Sequence, residues 1–444
     1  MAVEYDLVIL GGTLAGRNAA LQAASYGARV ALVEPPGLFL LNQRCRFLLQ
    51  ALQQIANGQQ TQAVSQWFGY ETQDRPNWAW SAFLEWSAIA TETQDSDLSV
   101  AAMSAKGVDV VLEMPVQLSK KSWVTTYSRQ IKARAVLAAF GLSPDVFKPL
   151  LSATQLPQRV MVWGGELRSL LWAKVLGQLG VKVTLQTVEV LPDWNKQVQQ
   201  LARSQLTQAG VTFLDPADTQ VIDSQSDCTL RFGTEQPALI LPKFAYRSSE
   251  YSPYLSVNRK LQAGTPRLFA CGAAVQGKAD TVITHQDLSV AIRNALFLPT
   301  RRLKLGQTII AGGQFAMAGL TQTQAIHRYG TKVQVEEVTQ ANSTDLSRAT
   351  PSPSYCQLVS VDRRLVGIHL VGDRAADYIL PLAAFLGQSV AHLCHKIPNV
   401  PSTSPGHLLA LAQATARQYQ RSQWEVGHWK RDWSENWFNW RRSH

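Results

Sequence analysis

Apolar residues gather in short runs at 7–10, 29–33, 135–139, 160–163, 182–185 and 267–271. Runs of this length, rich in Val, Leu and Ala and with little polar alternation, read as strands of a parallel sheet buried on both faces. Longer stretches with apolar positions at helical spacing lie between several of them, so the pattern predicts alternating strands and helices. Helices are expected from about 14 to 26, from about 167 to 179, and from near Thr284 toward Leu298. The segment 306–415 breaks the alternation and reads as an α+β unit. Its strands are expected around 356–360 and 364–370, and its helices at about 375–392 and 405–419.

Two glycine turns give this pattern its chemistry. The run at 7–10 strikes Gly11-Gly12-Thr13-Leu14-Ala15-Gly16, a helical stretch follows, and the strand at 29–33 ends at Glu34. Strand, glycine turn, helix, strand and terminal acid at this spacing make a dinucleotide-binding βαβ unit. Gly11 lets the chain turn, and the helix N-terminus offers N–H groups to a pyrophosphate. Gly16 lets the helix approach the strand, and Glu34 is placed to bind the adenosine ribose hydroxyls. Thr13 holds the middle position, where glycine normally admits the phosphate. The alternative is a parallel α/β domain without nucleotide. The pattern recurs ~150 residues later, with Gly164-Gly165-Glu166-Leu167-Arg168-Ser169 after the run at 160–163 and a strand at 182–185.

Composition narrows the class. The 444 residues exceed one ordinary core of ~100–200 residues. Apolar residues at 46% rule out disorder for most of the chain. A net charge of +10 permits acidic partners or anionic membranes without requiring either. The longest apolar stretch, 378–387, contains Pro381 and is half the ~20 residues that cross a bilayer, so no transmembrane helix is expected. Glu4 and Asp6 stand where a secretory signal carries Lys or Arg, which points to the cytoplasm. The five cysteines are widely separated, against a disulfide framework or a structural zinc site.

With these landmarks in place, the chain resembles the pyridine nucleotide-disulfide oxidoreductases, the flavoprotein family of glutathione reductase, dihydrolipoamide dehydrogenase and mercuric reductase. The likeness spans about 4–415. It rests on both βαβ units, on Ala138-Ala139-Phe140-Gly141, on Phe269-Ala270-Cys271-Gly272 and on Ala316-Met317-Ala318-Gly319-Leu320-Thr321. It implies an α/β fold with two Rossmann-like dinucleotide-binding domains, one inserted in the other, plus a C-terminal α+β dimerisation domain. The implied limits are 1–155 and 265–305 for the FAD-binding domain, and 156–264 for a degenerate NAD(P)-binding-like domain. The dimerisation domain takes 306–415, and a Trp-rich basic tail takes 416–444. The resemblance further implies FAD held by Gly11, Gly12, Thr13, Gly16, Glu34, Gly141 and Gly272, and a homodimer.

Departures from the family pattern carry the functional argument. Where the family has a redox Cys-x4-Cys, this chain has Leu40 and Cys45, so Cys45 matches the flavin-proximal cysteine and has no resolving partner. A lysine and glutamate that pair in the family are Leu49 and Leu171, and replacing both members of a buried ion pair by apolar groups can be neutral. The acid–base histidine and its glutamate are Val400 and Pro405. In the second fingerprint Glu166 replaces the phosphate-admitting glycine, Ser169 the third glycine, and Thr187 the charged residue after the second strand. A carboxylate ~5 Å from a phosphate charge costs roughly 3 kcal/mol, so NAD(P)H is disfavoured. Ala273 follows Gly272 where the family has Asp, removing a ribityl hydrogen bond. Dithiol chemistry is therefore not expected, and two readings stand. One is direct flavin electron transfer to a non-disulfide acceptor; the other is a silent dimeric scaffold or membrane-surface adaptor.

Single residues add less. Cys45 lies between Arg44 and Arg46 near an expected helix start, a setting that lowers thiol pKa, against the blander reading of an inert core cysteine. Cys394-His395 has no third ligand nearby, and His285 and His369 have no identifiable partner, so no metal site is expected. Trp67, Trp78, Trp80 and Trp86 read as core packing. In the tail, Trp429, Trp433, Trp437 and Trp440 fall within about 80° on a helix expected over 428–444. The charge from Arg417 onward is +3. That stripe suits a membrane interface, a protein partner or the protein's own dimer. Nucleic acid is not expected, because no basic groove or stacking motif accompanies the charge.

Overall fold

The computed structural model describes residues 3–67, 79–94, 96–121, 123–141, 143–214, 226–232, 241–242, 245, 255–276, 281–282, 285–300, 309–340, 354–372, 374–390, 392–393, 406–425, 436–437 and 439–442. Thr284, Cys394, His395, Val400, Pro405, Trp78, Trp429 and Trp433 lie outside them. The chain divides into two compact units, Met1–Pro192 with Ala202–Leu305, and Asp193–Leu201 with Gly306–His444.

In the first unit, β1 (Tyr5–Leu10), α1 (Leu14–Ser25) and β2 (Val30–Val33) form the leading βαβ. After it come α2 (Leu38–Trp67), α3 (Trp80–Gln94), α4 (Val100–Ala105) and β3 (Val108–Val111). Strands β4 (Gln117–Leu118), β5 (Trp123–Thr125) and β6 (Gln130–Ala138) follow. The nine residues of β6 do two jobs. The first three pair antiparallel with β5 and the rest run parallel to β1, giving the order β3-β2-β1-β6-β5-β4. Both faces are dry: Leu7, Ile9, Val30 and Leu32 join one core with Ala19, Ala20 and Ala23 of α1, while Val8, Leu10, Ala31 and Val33 join the other. Small alanines on α1 let the helix lie close to the sheet.

Past the short α5 (Lys148–Leu151), a second sheet forms from β7 (Arg159–Trp163), β8 (Lys182–Gln186), β9 (Val211–Leu214) and β10 (Cys228–Arg231), in the order β10-β7-β8-β9 and all parallel. Helices α6 (Leu167–Gln178) and α7 (Lys196–Gln208) connect its strands. The chain then returns to the first sheet, where β11 (Leu268–Ala270) pairs parallel with β6. Short α8 (Ala273–Gln276), β12 (Thr281–Val282) and α9 (His285–Leu296) complete the unit, with α9 packed on α1 and β6. The second βαβ is thus an insertion within the first sheet's chain path, as two Rossmann-like domains require.

The second unit holds β13 (Ile309–Gly312), β14 (Phe315–Gly319), α10 (Gln322–Tyr329), β15 (Val333–Gln340), β16 (Ser354–Val361), β17 (Arg364–Val371), α11 (Ala375–Ala383) and α12 (Gly406–Glu425). Its strands run β13-β14-β17-β16-β15, all antiparallel. Thr321 starts α10 with a capping box to Gln324. The helix expected over 375–392 stops at Ala383, because the chain turns at Gly387 with φ +84°, outside the helical region. Helix α12 packs on β15 and β16.

The structure gives His369 the partner that sequence could not supply. Its Nε2 lies 3.2 Å from the Leu320 carbonyl, while Nδ1 is buried without a hydrogen bond. Burial lowers its pKa to about 4. In the unfolded chain an ordinary histidine takes its proton near pH 6.5. Its contribution to stability is therefore complete above that value and is lost as pH falls toward 4. Between pH 7 and pH 4 this residue should remove about 3 kcal/mol of stability. Denaturant unfolding of wild type and His369→Phe at both pH values tests this. The acid-induced loss should be smaller in the variant, and equal losses would refute the assignment.

Candidate functional site

The leading glycine turn is built by close contacts. Gly11 donates its N–H to Val33 at 2.9 Å, holding the end of β1 to β2. Gly12 has φ +96°, which favours glycine, and a Cβ there would lie 2.5 Å from Leu38 Cδ2. A Cβ on Gly16 would sit 2.9 Å from the Gly11 Cα, so glycine is what lets α1 close on the strand. Thr13 caps α1: its hydroxyl accepts the Gly16 N–H at 3.1 Å and donates to the Ala139 carbonyl at 2.6 Å. The residue expected only to narrow the phosphate position thus ties the helix to the end of β6. Gly141 lies alongside, its missing Cβ 3.0 Å from Thr13 Cγ2. Gly272 follows β11, with φ +70°. Gly11, Gly12, Thr13, Gly16, Glu34, Gly141 and Gly272 therefore meet at the carboxyl ends of β1, β2, β6 and β11, where open α/β sheets form their ligand crevice.

Two side chains that the sequence reading passed over complete this corner. Asn42 of α2 donates to the Gly12 carbonyl at 3.1 Å, fixing α2 to the turn. Arg17, in the first turn of α1, is 5% exposed and grips Glu34, which is 1% exposed. The Arg17 Nη2 donates to Glu34 Oε1, and Nε donates to Oε2 at 3.3 Å. The Arg17 Nη1 donates to the Leu98 carbonyl at 2.6 Å, and its guanidinium lies 3.7 Å from the centre of the Phe39 ring. The expected ribose ligand is therefore held by an internal cation. One sequence signal was available: Arg17 is the sole charged residue of α1.

Tested against FAD, the turn has the glycines and the helix N-terminus that the diphosphate half calls for. In the adenosine half, both Glu34 oxygens are held by Arg17.

Cys45 corrects an expectation. It is the eighth residue of α2, not its first turn, and is 6% exposed. Burial pushes its thiol up to about 12, against the opposing pull of Arg168 and Arg44. Arg44 itself turns to α3, donating to Ser87 Oγ at 3.1 Å and to the Leu84 carbonyl at 2.8 Å. Leu40 is 42% exposed. Helices α2 and α6 pack together, with Leu171 buried and Leu49 half-buried. Arg168 lies over the Phe147 and Phe232 rings at 5.0 and 5.4 Å.

The second glycine turn is covered by its own chain. Gly165 accepts the Leu191 N–H at 2.7 Å, and a Cβ on Gly165 would run into the Glu189 carbonyl. Thr187 donates to that same carbonyl at 2.8 Å. The Ser169 hydroxyl stands 2.9 and 2.7 Å from the Gly164 and Glu166 carbonyls, filling the space of a third glycine. Glu166 is the N-cap of α6 and is exposed.

Elsewhere, the aromatic cluster is only partly core. Trp80 is buried, whereas Trp86 is exposed and stacks on Phe83. In the tail, the helical residues Trp437 and Trp440 are exposed and stack with ring centres 5.3 Å apart. Among the described residues no group of His, Cys, Asp and Glu could hold a metal ion, and no helix is long and apolar enough to cross a membrane.

The sequence profile described as "Pyridine nucleotide-disulphide oxidoreductase" matches residues 5–240, more than half the chain. The chain belongs to this family. Its members are FAD-dependent flavoprotein oxidoreductases. A dihydrolipoyl dehydrogenase of Acholeplasma laidlawii is 25% identical over 316 residues, covering 63% of this chain and 92% of that one. A mercuric reductase of Staphylococcus aureus is 22% identical, covering 92% of this chain and 82% of that one. The HOCl-induced flavoprotein disulfide reductase RclA of Escherichia coli, a Cys-to-Ser mutant in complex with Cu(II), superposes with a TM-score of 0.67 at 15% identity. That likeness covers 94% of this chain and 99% of that one, and it is a likeness of fold.

Cys45 offers a direct check on the site. With a pKa of about 12, roughly one thiol in 10⁵ is ionised at pH 7. Iodoacetamide at neutral pH should leave Cys45 unlabelled in the native protein and label it after denaturation, as read by peptide mass spectrometry. Rapid native labelling would show an accessible thiolate instead.

Proposed function

We propose that this chain is an FAD-binding oxidoreductase of its family that works without a dithiol–disulfide relay. FAD, when bound, supplies the redox chemistry, and electrons pass directly to an acceptor that is not a disulfide. The observation that carries this reading is the state of Cys45: a buried thiol raised far above neutrality, with Leu40 at the place of its resolving partner. Thiol–disulfide exchange needs a thiolate and a partner thiol. The crevice at the carboxyl ends of β1, β6 and β11 supports cofactor binding. There the N–H groups of the first turn of α1 receive the diphosphate, Gly16 keeps that helix close, and Glu34 meets the ribose. Glu166 and the chain over Gly165 argue against NAD(P)H entering the second turn. The chain acts as a homodimer, as is typical of the family, in the cytoplasm. Trp429, Trp433, Trp437 and Trp440 offer a surface for a membrane or protein partner.

A second reading, a silent dimeric scaffold or membrane-surface adaptor, is favoured by the Arg17 grip on both oxygens of Glu34, the expected ribose ligand. The visible absorption spectrum of the purified protein separates the two. Flavin bands are expected, and protein that neither carries nor takes up FAD would leave the scaffold. Gly16→Val should abolish flavin binding, because its branched side chain drives α1 off Gly11. Unchanged flavin content in that variant would move the site elsewhere. Turnover with lipoamide, glutathione disulfide or mercuric ion should be absent, and family-like turnover of any of them would sink the relay-free reading.

A further inference from the structure

The Arg17–Glu34 pair is the most heavily engaged charged contact in the crevice, and packing alone gives no reason for it. A buried ion pair is often no more stabilising than well-packed apolar residues of similar volume. A cation in the first turn of a helix also faces the positive end of the helix dipole. Yet all three guanidinium nitrogens are used: two hold both oxygens of Glu34, and the third holds the Leu98 carbonyl. Phe39, 2% exposed, covers the guanidinium face. The pair stands at the end of β2, where a dinucleotide-binding βαβ directs its acid to ribose hydroxyls.

We propose that Arg17 is a latch on the adenosine side of the crevice. This rests on the reading that the chain binds FAD. Glu34 is 1% exposed beneath the Arg17 contact, so an adenosine ribose reaches it by moving the guanidinium aside, and part of its binding energy is cancelled by the contact it breaks. The consequence is a flavin held by the glycine turn but less tightly than the turn and a free Glu34 would hold it. Arg17 is a specificity-determining residue here. It weakens ligands that carry an adenosine ribose and leaves untouched those that lack one.

The test compares the full-length flavin-free chain with Arg17→Met and Arg17→Lys. FAD and FMN binding are followed by flavin fluorescence, and ADP-ribose binding by calorimetry. Arg17→Met should bind FAD and ADP-ribose about tenfold or more tightly than wild type, with FMN unchanged. Arg17→Lys, which keeps the charge without the fork, should fall between. FAD should also raise the melting temperature of Arg17→Met more than that of wild type. A folded Arg17→Met with unaltered or weaker FAD affinity would overturn the latch, as would an equal gain for FMN. If Arg17→Met does not fold, Phe39→Ala, which removes the ring that pins the guanidinium, should show a smaller gain in the same direction. No gain there would overturn the latch too. Should wild type and variants all fail to bind FAD and ADP-ribose, the functional reading falls together with it.

Discussion

The fit of Gly16 against Gly11, secured by the Thr13 hydroxyl between Gly16 and Ala139, sets the geometry of the first unit's crevice. It brings the start of α1 within backbone distance of β1 and β6. From there the helix carries Ala19, Ala20 and Ala23 onto the sheet and aims Arg17 at the end of β2. A side chain larger than hydrogen at Gly16 would lift the helix, uncover the alanine face and separate Arg17 from Glu34, while one at Gly11 would run into Leu32 of β2. Packing and electrostatics at this corner are thus one constraint, because the ion pair forms only on a helix already held close.

A common logic runs through the replaced positions. A thiol raised to about 12, leucines where the family pairs opposite charges, and a carbonyl folded over Gly165 all exchange reactive or solvated groups for packed ones. Arg168 shows the balance of forces. Its charge pulls the Cys45 thiol toward ionisation, but desolvation of the sulfur is the larger effect, and its guanidinium rests on Phe147 and Phe232. A cation near a sulfur does not by itself make a nucleophile.

Strands β1, β2, β7, β8 and β11 and the end of β6 were legible in the sequence, because strands buried on both faces leave continuous apolar runs bounded by glycine. The glycines of the first crevice were legible for the same reason: each marks a place where the backbone needs room. What sequence hid were contacts made at long range. Nothing local says that Arg17 turns inward, since an isolated arginine on a helix normally faces water. Nor do its neighbours Arg44 and Arg46 reveal that Cys45 is buried. Those charges left a reactive thiol open beside an inert core cysteine, and the packing of α2, with Arg44 turned to α3, favours the core cysteine. The cover over Gly165 was equally hidden, because it comes from backbone atoms of Glu189 and Leu191, whose side chains carry no signal of it. Trp86 ran the other way: an aromatic read as core stands exposed.

The double pairing of β6 has a consequence for how the chain is made. Its last residues need β11 as a parallel neighbour, yet β11 emerges only after the whole inserted sheet has been synthesised. During translation the nascent β6 therefore presents a bare, apolar edge with Val136 and Ala138 in reach of other chains. The inserted domain has all four of its strands in hand before β11 appears, so it can fold first and shorten the distance that β11 must cross. Completion of the first sheet then becomes the late, non-local event in this protein's biogenesis, and the interval before it is when a chaperone would matter most.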